Sequence, residues 1–137
     1  MKLIPIYLND NIYAIEVDYV IEIIPIIKII DNLNKNIPLV GVINYRGEIL
    51  PLLDFKKIIS DSNSEKLLNT RIVIIKTNNK FGLIIENLTD IIEIKNDTII
   101  NENINQSNLI KKYVNYLGNV VSIINLNSFD NFLISNE

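Results

Sequence analysis

The chain has 137 residues, a formal net charge of −3 and 48% apolar residues, the size of one domain or of two very small ones sharing a core. It contains no His, Cys or Trp, which excludes thiol and imidazole chemistry, disulfides and a zinc site of the usual kind. With 13 basic and 16 acidic residues there is no basic stripe for nucleic acid, and the four Gly do not form a phosphate-cradling loop.

Ile occurs 31 times, Asn 22 times and Ala once. Stiff β-branched side chains suit a pleated surface, and the best helix former is nearly absent, so the expected fold class is all-β. The opening Met1–Tyr7 segment meets Asn9-Asp10-Asn11 at once, too early for the apolar core of a signal peptide. The longest uncharged run, 113–129, is interrupted by Asn115, Asn119, Ser122, Asn125, Asn127 and Ser128. These features predict a soluble cytoplasmic protein without direct membrane insertion.

In chain order, Leu3–Leu8 and Ile12–Val17 flank Asn9-Asp10-Asn11 and predict a hairpin. Asp18 is placed to cap one or two helical turns through Glu22, stopped by Pro25. An Asn-rich loop, Asp31–Asn36, follows. Leu39–Tyr45 and Glu48–Leu53 flank Arg46-Gly47, a second hairpin, and Asp54 stands at the N-cap of a short helix, Phe55–Ile59. Ser60–Glu65 is polar. Its alternating Asp61, Asn63 and Glu65 lack the Gly that a calcium loop needs at the sixth position, so it reads as a solvated linker. Arg71–Thr77 and Phe81–Glu86 flank Asn78-Asn79. Asn87, which tolerates positive φ, leads into Leu88–Ile94. Tyr113–Leu117 and Val120–Ile124 flank Gly118-Asn119, and Asn125 is placed to cap a last helix, Leu126–Ile134.

Shifting the chain by 71 residues aligns several segments. Val20-Ile21-Glu22-Ile23 meets Ile91-Ile92-Glu93-Ile94, the loop at Asp31–Asn36 meets Glu102–Ser107, Asn44-Tyr45-Arg46-Gly47 meets Asn115-Tyr116-Leu117-Gly118, and Asp54 meets Asn125. The repeat predicts one domain, 1–137, of two similar β units, approximately 1–64 and 65–137. Runs such as Ile72–Ile75 and Leu83–Ile85 are apolar on both faces, which fits two small barrels with a shared apolar seam.

The repeat also sorts candidate site residues. Glu22 recurs as Glu93 and Tyr45 as Tyr116, so the shared fold explains both, whereas the partner of Arg46 is Leu117. Arg46 reads either as a solvated turn residue or as a contact residue with planar donors suited to carboxylates. Glu22 is its candidate ion-pair partner. Glu48 and Asp54 show no spacing that makes them an acid/base pair, and enzyme activity is not expected.

The segment from Gly41 to Asp54, Gly-Val-Ile-Asn-Tyr-Arg-Gly-Glu-Ile-Leu-Pro-Leu-Leu-Asp, resembles the core motif of CheW-like domains, the coupling modules of bacterial chemotaxis. The likeness extends over the opening hairpin, Val20–Ile23, Phe81–Ile91 and Ile123–Leu126. This chain departs from the pattern with Asn at 87, where Gly is usual, and with a shorter last hairpin. The resemblance implies two five-stranded SH3-like barrels with short capping helices and a groove between them. It implies a non-enzymatic adaptor without a cofactor, a monomer in isolation that joins receptor arrays at the membrane. Its partners are the regulatory domain of the histidine kinase CheA and the cytoplasmic tips of chemoreceptors. By position, Gly41, Val42 and Ile43 resemble kinase-docking residues, so Gly41→Asp is expected to place a charge on that surface. Val20, Glu22, Arg46, Gly82 and Ile91 resemble residues of the receptor groove or its support. At this length a stand-alone coupling protein is expected, since kinase, phosphotransfer or receiver domains do not fit. The alternatives are a paralogue serving another receptor–kinase pathway, such as surface motility, and a barrel binding a small ligand or nucleic acid.

Overall fold

The computed structural model describes residues 1–31, 37–95, 99–102 and 108–133. The fold is all-β. The strands are β1 (Lys2–Leu8), β2 (Asn11–Glu16), β3 (Val20–Pro25), β4 (Ile29–Asp31), β5 (Leu39–Tyr45), β6 (Glu48–Asp54), β7 (Arg71–Lys76), β8 (Lys80–Ile85), β9 (Ile92–Glu93), β10 (Ile99–Glu102), β11 (Ile110–Tyr116) and β12 (Asn119–Ile124). One α-helix, α1 (Phe55–Ser60), and 3-10 segments at Val17–Tyr19 and Leu126–Phe132 complete the described elements.

The chain divides into two compact units. One comprises Met1–Tyr19 with Asn87–Phe129, and the other Val20–Glu86 with Asp130–Glu137. Each holds a six-stranded sheet, ordered β9-β1-β2-β12-β11-β10 in the first unit and β3-β7-β8-β6-β5-β4 in the second. The two orders match strand for strand. The boundary expected near residue 64 is therefore corrected. The N-terminal hairpin β1–β2 supplies the first unit with the strands that β7–β8 supply to the second. A cut at 64 would also separate β6 from β8, which pair in parallel with Leu52 opposite Gly82. The equivalent parallel pair, β12 with β2, sets Ile123 opposite Ala14.

The cores correspond position by position. Ile43, Leu50 and Leu52 in the second unit match Val114, Val121 and Ile123 in the first, and all six are buried. Ile72–Ile75 and Leu83–Ile85 are buried throughout, as their uninterrupted apolar runs require. The strand count exceeds the expected five because β4 and β10 each add a short arm beyond β5 and β11.

Local sequence explains most elements. In the β5–β6 turn, Arg46 and Gly47 have φ of 51° and 84°, and the Asn44 side chain accepts a hydrogen bond from Gly47 N at 2.8 Å. In the β11–β12 turn, Leu117 and Gly118 have φ of 52° and 85°, and Asn115 accepts from Gly118 N at 3.1 Å. Two successive positive φ values give a turn whose twist matches its strands. The second turn thus falls on Leu117-Gly118, one residue before the expected Gly118-Asn119, because the Asn side chain fixes where the strand ends.

Asp54 caps α1 as expected, accepting from Lys56 N at 3.1 Å. It also accepts from Ser64 N at 2.8 Å, so the polar stretch 60–65 is pinned rather than a free linker. The turns expected after Asp18 are limited to Val17–Tyr19. Val20–Pro25 instead forms an edge strand of alternating exposure, where Pro25 is tolerated at the end. The last helix is a 3-10 segment ending at Phe132, and the three-residue spacing of its buried Leu126 and Phe129 suits that geometry. Ile134 lies outside the described residues, as do loop residues 32–36 and 103–107. Asn87 is not among the positive-φ residues, so the backbone there needs no Gly.

Candidate functional site

The β5–β6 hairpin brings charged and aromatic groups together on the second unit. Tyr45, the last residue of β5, is 7% exposed, with its ring in the core of that unit. Its hydroxyl donates to Glu22 Oε1 on β3. A register shift between Val20 and Glu22 leaves Ile21 as the extra residue and sets Glu22 opposite Ile74. Arg46 Nη2 lies 2.9 Å from Glu22 Oε1 and donates to Oε2 at 3.1 Å. The Arg46 guanidinium stands 5.4 Å from the Tyr45 ring centroid and the Lys80 ammonium 5.6 Å from it. Lys80 also pairs with Glu48 Oε1 at 2.8 Å. Glu22, Tyr45, Arg46, Glu48 and Lys80 therefore form one connected platform drawn from β3, the β5–β6 hairpin and β8.

The hydrogen bond to Glu22 holds the Tyr45 phenol above its ordinary pKa, and burial adds to the effect. The Arg46 side chain is 72% exposed and that of Glu22 35%. A pair so exposed is worth about 0–1 kcal/mol, so it positions groups and adds little to the stability of the fold. Glu22 engages Nη2, and the exposed guanidinium carries further donors of the kind that suit a carboxylate.

The expected site residues fall into two groups. Glu22 and Arg46 pair, and Val20 lies two residues before Glu22 on β3, half-buried. Gly82 is buried. A methyl there would meet Leu52 Cδ1 at 3.0 Å, Ile72 Cγ2 at 3.1 Å and Ile43 Cδ1 at 3.2 Å, so its role is close packing beneath the platform. Ile91 belongs to the first unit and is 57% exposed. Of Gly41, Val42 and Ile43, only Val42 is partly exposed. Ile43 is fully buried, and a Cβ on Gly41 would lie 2.0 Å from Ile30 O. Gly41 is thus required for close pairing of β4 with β5, and Gly41→Asp would wedge the two strands apart rather than decorate a surface. The accessible face at this segment consists of Ile30, Val42 and Pro51, neighbours across three strands.

Tyr45, Glu48 and Lys80 escaped sequence reasoning as site residues. Tyr45 was assigned to the fold because it recurs as Tyr116, and Lys80 comes to the site only through pairing of distant strands. The equation of Glu22 with Glu93 is corrected by the pairings. In the second unit Ile24 faces Ile72 and Val20 faces Ile75, with one extra residue between. In the first, Ile92 faces Leu3 and Leu88 bridges Ile6, again with one extra residue. Glu93, opposite Lys2, therefore corresponds to Pro25, opposite Arg71, and the counterpart of Glu22 lies between Leu88 and Ile92. The offset is 68 on this strand and 71 between the β5–β6 and β11–β12 hairpins, a change that hydrophobic matching alone does not register.

A hollow of about 200 Å³ on the second unit is lined by residues including Asp31, Leu39, Val40, Asp54, Ser64 and Ile84. The Asp54 carboxylate there is occupied by Lys56 N, Ser64 N and Ser64 Oγ, which leaves it a structural tie. Among the described residues no group of His, Cys, Asp or Glu could hold a metal ion, and no helix is long and apolar enough to cross a membrane.

The model of the CheW-like domain matches residues 2–131. This chain belongs to the CheW-like domain family. CheW-like proteins are scaffolds of chemotaxis rather than enzymes. Among solved structures, the scaffolding protein TtCheW from Thermoanaerobacter tengcongensis is similar with a TM-score of 0.79 and 23% identity over 90% of this chain and 87% of that one, which shows the shared fold. No curated protein matches the chain. The two barrel-like β units are thus those of a CheW-like domain, and the Gly41–Asp54 motif is its β5–β6 hairpin.

Proposed function

We propose that this CheW-like protein is a non-enzymatic adaptor that couples chemoreceptor cytoplasmic tips to the regulatory domain of CheA. In this reading it is cytoplasmic, monomeric in isolation and recruited to arrays beneath the membrane. The observation that carries the reading is the hairpin of the family motif, whose tip holds Arg46 exposed over Tyr45 and locked to Glu22. Such an arrangement costs the fold little and offers a fixed guanidinium to a partner. Receptor contact is assigned to Glu22, Arg46, Val20 and Ile91, with Gly82 as support. Kinase docking is assigned to the Gly41–Ile43 segment through Val42 and its neighbours Ile30 and Pro51, an apolar face suited to a protein partner.

Calorimetry with the cognate CheA regulatory domain and, separately, with a receptor cytoplasmic fragment tests the proposal. Binding to both is expected. Val42→Asp should remove the kinase interaction and spare the receptor, while Arg46→Ala should weaken the receptor interaction and spare the kinase. Absence of binding to both partners by the unaltered chain would overturn the reading.

A further inference from the structure

Two cations gather on one ring in the second unit. The Arg46 guanidinium stands 5.4 Å from the Tyr45 ring centroid and the Lys80 ammonium 5.6 Å from it. Matching strand pairs set Tyr116, Leu117, Asn119 and Ile12 of the first unit at the places of Tyr45, Arg46, Glu48 and Lys80. All four line a single hollow of about 130 Å³, so side chains at these positions converge on one spot. The first unit builds that spot without a charge. The fold therefore needs neither cation, and bringing two like charges to one ring costs free energy unless anions offset it.

Two carboxylates offset the pair in part. Both oxygens of Glu22 are engaged, Oε1 by the Tyr45 hydroxyl and Arg46, and Oε2 by Arg46. Glu48 holds Lys80 through Oε1, and its side chain is 53% exposed. A guanidinium carries five N–H donors and an ammonium three. Among the described residues, only Nη2 of Arg46 and one bond from Lys80 are used in side-chain pairing. The platform thus holds donors in excess of acceptors, and an ionised carboxylate is a group of acceptors alone.

We infer that Arg46 and Lys80 together receive a carboxylate side chain of a partner protein, with Lys80 as the second contact beside Arg46. The incoming group takes N–H donors from both cations and competes with Glu48 for Lys80. The Glu48–Lys80 pair is partly exposed and weak enough to be shared. The inference rests on the reading of Arg46 as a partner contact. Its test uses neither receptor nor kinase, so that either can fail without the other.

The test is an amide NMR titration of the full chain with acetyl-Gly-Ser-Glu-Ser-Gly-amide, and with the same peptide carrying Gln in place of Glu. Saturable shifts are expected at Arg46, Gly47 and Lys80. The neutral Gln peptide should bind about five-fold more weakly or not at all. Lys80→Gln should weaken the Glu peptide about two- to five-fold, the scale of one exposed ion pair, and Lys80→Arg should restore it. Lys66→Gln is an equal loss of charge at an exposed residue that lines the hollow with Asp31 and Asp54 instead, and should leave binding as it is. Glu48→Gln, which frees Lys80, should strengthen binding about two-fold. Resonances away from the platform should stay in place in every variant. Absence of saturable shifts, equal binding of the Gln peptide, a Lys80→Gln variant that binds no worse than Lys66→Gln, weaker binding after Glu48→Gln, or shifts centred on Tyr116 and Leu117 would each overturn the inference.

Discussion

The β5–β6 and β11–β12 hairpins have the same turn and different surfaces. Their positive-φ pairs agree within a degree, 51° and 84° against 52° and 85°. In each turn an Asn side chain accepts from the Gly amide. Yet one tip presents Arg46, 72% exposed, and the other Leu117, 81% exposed. A residue that one copy of a turn exchanges for leucine is not required by that turn. The charges around Tyr45 therefore serve the surface, and the Asn–Gly pair serves the fold.

The largest effect expected from this comparison is at Gly41. Its counterpart in the first unit is Lys112, opposite Glu102 on β10, a position that carries a full side chain. Gly41→Asp should cost about 3 kcal/mol or more in urea denaturation, and Lys112→Gly about 1 kcal/mol or less. Equal stability of the Gly41 variant and the parent would break the claim that close strand approach sets this position.

Gly82 is next. Its counterpart, Ala14, is fully buried and carries the methyl that Gly82 lacks room for. Gly82→Ala should lower stability by about 1–2 kcal/mol, as overpacking does. A stabilised variant would show that the second core has slack.

Arg46→Ala should shift stability by about 0.5 kcal/mol or less and weaken receptor-fragment binding about ten-fold. Leu117→Ala should leave that binding in place. Marked unfolding of the Arg46 variant, with full partner binding by the folded fraction, would make Arg46 structural.

The smallest effect is alkaline. Glu22 accepts the Tyr45 hydrogen bond and favours the protonated phenol, so the folded state holds this proton more tightly than the unfolded chain. The resulting stabilisation is full below about pH 10, the ordinary tyrosine value, and is lost as pH rises through the folded value. Glu22→Gln should lower the Tyr45 titration midpoint, followed through its ring carbon resonances. An unmoved midpoint would separate Tyr45 from Glu22.

Much of this was legible in the chain. The β class follows from the Ile content, and Arg46-Gly47 between two apolar runs places the turn of the β5–β6 hairpin where it is observed. Asp54 caps α1, and the Gly41–Asp54 motif identifies the family. Apolar periodicity does not reveal a single extra residue in a strand, so it misaligns β3 with β9 and sets Glu22 against Glu93. Burial behind a neighbouring strand is equally invisible to a motif, which is why Gly41 and Ile43 read as surface.

Composition, turn chemistry and one specific motif by themselves determined the class, the hairpins and the family, because each depends on residues close together in the chain. Tertiary structure alone decided which strands close each unit and that Glu22 stands beneath Tyr45. Those choices depend on pairings such as β1 with β9 and β6 with β8, where side chains far apart in sequence must share one core and local preference leaves the partner open.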